Sequence, residues 1–204
     1  MNKKVEMPYE AWQQQKCNPE NKSNYRYVLS AKVIETSTPE KPLVVVGINP
    51  STADDKNKDA TIIRVEKLAK ANGYSHFVMV NVYPQRATDA TELPRNSNEE
   101  PKQINENIEK IYACIKNSPC RDILLAYGTH IEDRKYLAEC LKQIIKRIEN
   151  LQPHYKYIAK TKYGHPCHPL FPHCCKTYPP IRSDDDTSYK IRDFTDIDEY
   201  LKSL

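Results

Sequence analysis

The chain has 204 residues and a mass of 23.7 kDa, the size of one α/β domain, and no internal stretch reads as a long linker. With 39% hydrophobic and 28% charged residues and a mean hydropathy of −0.77, it is polar overall yet apolar enough in patches to bury a core. No run approaches the roughly 18 apolar residues of a membrane span, and the opening Met1-Asn2-Lys3-Lys4 lacks the apolar stretch of a signal peptide. The net charge is +4 and the seven cysteines are scattered, so reduced thiols in a cytoplasmic protein are expected. The charge is uneven. Residues 102–182 hold 14 Lys and Arg against 7 Asp and Glu, and residues 183–204 hold 3 against 7. The basic half suits a phosphate-binding face, or equally the solvent sides of two amphipathic helices.

In chain order, residues 25–33 are rich in β-formers and predict an additional edge strand. Leu43-Val44-Val45-Val46 is the first apolar run suited to a buried strand. Residues 61–71 then place Ile62, Val65, Leu68 and Ala69 on one helical face, with Gly73 as a C-cap. A second buried strand, Phe77-Val78-Met79-Val80, precedes a helix over 103–116 through Ile104, Ile108, Ile111 and Ile115. Ile123-Leu124-Leu125-Ala126 reads as the third, followed by a helix over 131–151 through Leu137, Leu141, Ile144, Ile145 and Ile148. A weaker strand lies at residues 155–159. The alternation predicts a three-layer α/β/α domain with a mainly parallel four-stranded sheet. A single domain is expected over 1–204, with its core at about 25–175 and a C-terminal extension over 176–204.

Ligands of open α/β sheets bind beyond the carboxyl ends of the strands, which selects four segments. In Gly47-Ile48-Asn49-Pro50-Ser51-Thr52 the proline pushes Asn49 towards an extended conformation, so its amide either projects rigidly to a ligand or caps its own turn. Asn81 ends the second strand; its amide matches the donor and acceptor edge of a pyrimidine, or satisfies neighbouring backbone. Arg86, Thr88 and Asp89 follow in a loop whose shape they could hold. Tyr127-Gly128-Thr129-His130 follows the third strand. The last segment gathers His165, Cys167, His168, His173, Cys174 and Cys175, which zinc could use, yet the spacing fits no standard finger and no metal is expected. A histidine fixed beside a proline can instead donate to a developing anion, or be merely structural. There is neither a G-x-x-x-x-G-K-[ST] nor a G-x-G-x-x-G motif.

Gly47-Ile48-Asn49-Pro50-Ser51-Thr52-Ala53-Asp54, Asp59-x-Thr61-x-x-Arg64, Asn81-Val82, Arg86-Ala87-Thr88-Asp89 and Gly164-His165-Pro166-x-His168-Pro169-Leu170 together resemble the domain of unknown function family 1643 of bacteria and phages, over residues 25–175. Ala60 stands where that family leads one to expect proline or another turn residue. A more distant resemblance is to the uracil-DNA glycosylase superfamily, carried by Gly47-Ile48-Asn49-Pro50, by the strand ending at Asn81, by Leu124-Leu125-Ala126-Tyr127-Gly128, and by His168-Pro169-Leu170.

The second resemblance implies a glycosylase-like fold and a DNA N-glycosylase, acting on uracil or a modified pyrimidine such as a hypermodified base of phage DNA. Carried over, Asn49 positions the water that attacks the sugar C1′, His168 donates to the departing base and Asn81 reads it. Tyr83 or Tyr127 would stack on the flipped base, and Gly47, Ile48, Pro50, Ser51 and His165 would complete its pocket. Arg86, Leu170 and Phe171 would contact DNA, duplex or single-stranded. Ser51 replaces the bulky tyrosine of some uracil-specific members, which opens the pocket. No cofactor, iron–sulfur cluster, membrane or obligate protein partner is implied. The alternatives are an N-glycosidic hydrolase or transferase on free nucleosides or nucleotides, and a non-catalytic nucleic-acid-binding module.

Overall fold

A computed structural model of the chain describes residues 16–18, 24–34, 40–54, 56–89, 92–96, 101–170 and 190–204. Its strands are β1 (Lys16–Asn18), β2 (Val28–Lys32), β3 (Pro42–Gly47), β4 (His76–Asn81), β5 (Asp122–Leu125), β6 (His154–Tyr157) and β7 (Arg192–Asp193). The helices are α1 (Ala60–Ala71), α2 (Pro101–Lys116), α3 (Lys135–Ile148) and α4 (Ile197–Ser203).

All strands join one sheet in the order β1-β2-β4-β3-β5-β6-β7. The four central strands, β4, β3, β5 and β6, are parallel, as expected. The expectation of a four-stranded sheet is corrected, because antiparallel strands extend both edges and make the sheet mixed. The segment expected as an edge strand is β2, with β1 outside it. Every residue of β3 and β4 is buried, because helices cover both faces.

Alternation decides which helix each strand residue meets. Leu43, Val45, Phe77, Met79 and Leu124 share a core with Ile62, Val65 and Leu68 of α1. Val44, Val46, Val78, Val80, Ile123 and Leu125 share the other with the apolar faces of α2 and α3. Phe194 and Tyr200 belong to this second core, so residues 190–204 are built into the domain instead of trailing from it. No described helix is long and apolar enough to cross a membrane.

The start of α1 follows from one side chain. Asp59 Oδ1 accepts from the Ile62 backbone N–H at 2.9 Å and caps the helix. Ala60 is therefore the first helical residue, a position where proline and alanine are both accommodated. The chain leaves β3 through α1 to β4 on one side, then passes through α2 to β5 on the other side of β3. The carboxyl end of β3 is thus a topological switch point, where two connections diverge and leave a crevice.

Candidate functional site

A cleft of about 530 Å³ lies at this switch point, with walls that include Gly47, Ile48, Asn49, Ser51, His130 and His168. Four post-strand segments distant in sequence converge there. Leu170 is also on its wall, whereas Phe171 lies outside the described residues, as do His173, Cys174 and Cys175.

Asn49 is clamped. Its Nδ2 donates to Pro50 O at 3.0 Å and to Ala87 O at 2.9 Å. The amide thus braces its own turn and also ties that turn to the loop after β4. Both donors are used, which fixes the amide orientation and leaves Oδ1 as a hydrogen-bond acceptor on the cleft wall. Such an acceptor can hold a water by one of its protons.

The His168 backbone is set by a folded-back loop. Lys160 bridges Pro166, Cys167 N–H donates to Ala159 O at 2.8 Å, and Gly128 N–H donates to Pro166 O at 3.0 Å. Gly128 has φ +68°, and a Cβ there would stand 3.2 Å from His168 Cβ, so any side chain would strain the turn and push His168 back by a few tenths of an ångström. His168 Nδ1 accepts from Leu170 N–H at 3.2 Å, so the proton of the neutral ring resides on Nε2. Burial pushes the imidazole pKa down to about 4, helped by the nearby charge of His130 and opposed by that of Asp59. His168 is a neutral N–H donor at physiological pH.

The other expected residues divide into those on the wall and those behind it. Pro50 is buried, its carbonyl receiving Asn49 Nδ2 and Ala87 N–H. Arg86 donates through Nη1 to Ser51 O and Ala53 O, both at 2.8 Å, and so holds the loop after β3. Asn81 is fully buried, paired in register with Gly47, and does not surface in the cleft. Tyr83 packs in the core against Tyr136, ring centroids 5.2 Å apart. Tyr127 is equally buried and stacks on Tyr200 at 6.5 Å. Neither ring reaches the cleft, and among the described residues no Phe, Tyr or Trp lines it. His165 also sits behind the wall: Nδ1 bonds the Tyr200 hydroxyl at 3.0 Å, and Nε2 lies 3.0 Å from Glu132 Oε1 at an angle too poor for a hydrogen bond.

Three further residues on the wall were not singled out for a role by the sequence. Arg26 is buried and donates to Ala53 O at 2.9 Å, brought beside Arg86 because residues 24–26 bond along residues 84–86. Asp59 spends both oxygens on backbone N–H groups, of Ile62 and of Ala53. His130 Nδ1 lies 2.6 Å from Asp133 Oδ2, an orientation that leaves Nε2 for other work. The spacing His130-x-x-Asp133 at a strand end was the available signal. Among the described residues no group of three His, Cys, Asp or Glu side chains is placed to hold a metal ion, and neither lysine nor cysteine lines the cleft.

No curated protein and no solved structure matches the chain. Residues 26–170 match a family model described as a protein of unknown function, and these residues include every described segment of the cleft wall. The chain belongs to that family, DUF1643.

Proposed function

We propose that the chain is a DNA glycosylase that hydrolyses the N-glycosidic bond of uracil or a modified pyrimidine and leaves an abasic site. The supporting observation is one pairing in one cleft: a neutral imidazole, His168, with its proton on Nε2, and a clamped amide oxygen, Asn49 Oδ1. Cleavage of the C1′–N1 bond sends its electron pair to the base and leaves positive charge on the sugar. His168 Nε2–H stabilises the charge growing on the base O2. A water on Asn49 Oδ1 adds to C1′, and its proton passes through His130 Nε2 or solvent to the departed base. No strong nucleophile is needed, which agrees with a wall lacking lysine and cysteine among the described residues.

A glycosylase-like three-layer arrangement is consistent with the parallel central strands and with helices on both faces. The cleft is several times the volume of a pyrimidine, and Ser51 leaves room for a 5-substituent. For DNA, the turn that leads to His168 carries Tyr163, 60% exposed, with the Lys162 ammonium 4.7 Å from its ring. The free thiols of Cys120 and Cys140 suit a cytoplasmic setting.

The test is incubation with oligonucleotides bearing uracil, mismatched thymine or a hypermodified pyrimidine, then alkali. Strand scission at the modified base is expected, with DNA affinity that falls steeply with salt. Salt-insensitive binding with turnover of free nucleosides would move the site to the nucleoside enzymes. Binding without scission would make it a recognition module.

A further inference from the structure

Asn81 has a carboxamide with no exposed surface, and among the described residues neither its Oδ1 nor its Nδ2 has a hydrogen-bond partner. Buried amides are almost always paired, so an unmet one calls for a ligand or a rearrangement that meets it. Its backbone is well held, since Asn107 Nδ2 donates to Asn81 O at 2.9 Å. The side chain alone is unprovided for.

The neighbouring geometry shows what shares its patch of the sheet. Gly47 forms part of the cleft wall directly across the ladder from Asn81. A Cβ on residue 47 would stand 2.7 Å from Asn81 Oδ1 and 2.5 Å from Met79 Cε. The amide and the thioether methyl therefore crowd the same patch of wall. Met79 is on the cleft and 3% exposed, while Asn81 is not on it at all. A methionine has three soft torsions and adapts its shape at little cost, whereas the amide is anchored on a strand.

We infer that Met79 is the gate and a specificity-determining residue of the base site: its side chain swings off Gly47 and uncovers Asn81, whose donor and acceptor then pair with the N–H and C=O edge of a pyrimidine. This rests on the cleft being a base site. The gate excludes any ligand that cannot repay its opening with both hydrogen bonds, and an apolar ring of the same size cannot.

The experiment is a titration of the full chain with free uracil, with side-chain amide NMR signals as the readout. Saturating uracil is expected to shift the Asn81 Nδ2 resonances of the unmodified protein. If the open form is populated at about one part in ten, Met79→Ala binds uracil about tenfold more tightly. Adding Asn81→Ala to that variant removes the gain. Unshifted Asn81 resonances, or an unchanged uracil affinity in a folded Met79→Ala protein, would overturn the gate. Uracil that engages Asn81 while uracil-bearing DNA stays intact would keep the gate and remove the glycosylase reading.

Discussion

Replacing Asn49 separates its mechanical part from its chemical part. In Asn49→Ala, Pro50 O and Ala87 O each lose a donor. At about 1 kcal/mol for each partly buried bond, the domain loses about 2 kcal/mol, a fall in Tm of roughly 4–8 °C for a chain of this size. The protein still folds. Excision is expected to drop by ~10²-fold or more, the usual cost of removing a preorganised polar group from a site. Asn49→Asp sharpens the test, because a carboxylate cannot donate and would set negative oxygen about 3 Å from two carbonyls. Its Tm is expected to lie below that of Asn49→Ala at pH 7 and to recover as the acid protonates. Scanning calorimetry and single-turnover alkali scission measure the two effects. An Asn49→Asp protein as stable as the parent would refute the clamp, and a folded Asn49→Ala protein with full excision would refute the water site.

Lowering the pH from 6.5 to 4 is expected to destabilise the domain by up to about 3 kcal/mol through His168, because the unfolded chain takes up a proton there that the buried ring refuses. His168→Gln should flatten that part of the stability profile, and an unchanged profile would show the ring to be freely protonated. Gly128→Ala and Gly73→Ala both force alanine to a positive φ, at about 1 kcal/mol each, but only at residue 128 would the new Cβ meet His168. Excision should fall in the first variant alone, so equal activities would refute the packing argument. His130→Ala is expected to slow excision by about tenfold or more, with Asp133→Asn showing part of the loss; full rates in both would exclude the pair from proton transfer. Chelation should change neither Tm nor excision, and one tightly held zinc per chain would overturn this.

The central sheet was legible because its strands are long apolar runs separated by helix-period segments, with boundaries that moved by only a few residues. β1 and β7 were not, since three residues, Lys-Cys-Asn, and two, Arg-Asp, carry no periodicity. The helix expected over 131–151 resolves into a 3₁₀ turn at Gly128–Glu132, helix α3, and a second turn at Glu149–Leu151. Within the site, turn chemistry singled out Asn49 and His168, and both are on the cleft. Nothing in the local sequence marks Arg26, because its partner carbonyl is 27 residues away. Met79 read as one more core residue of β4, since strand pattern tells which face a side chain takes and not what it covers there.

The C-terminal helix reaches the cleft without touching it. Tyr200 is seated in the core, and its hydroxyl holds His165 three residues ahead of His168. Helix α4 thus works as a latch on the loop that carries His168. A chain shortened to the family-matched residues would keep every described wall residue and lose the latch, leaving the His168 loop to its backbone bonds with Ala159 and Gly128.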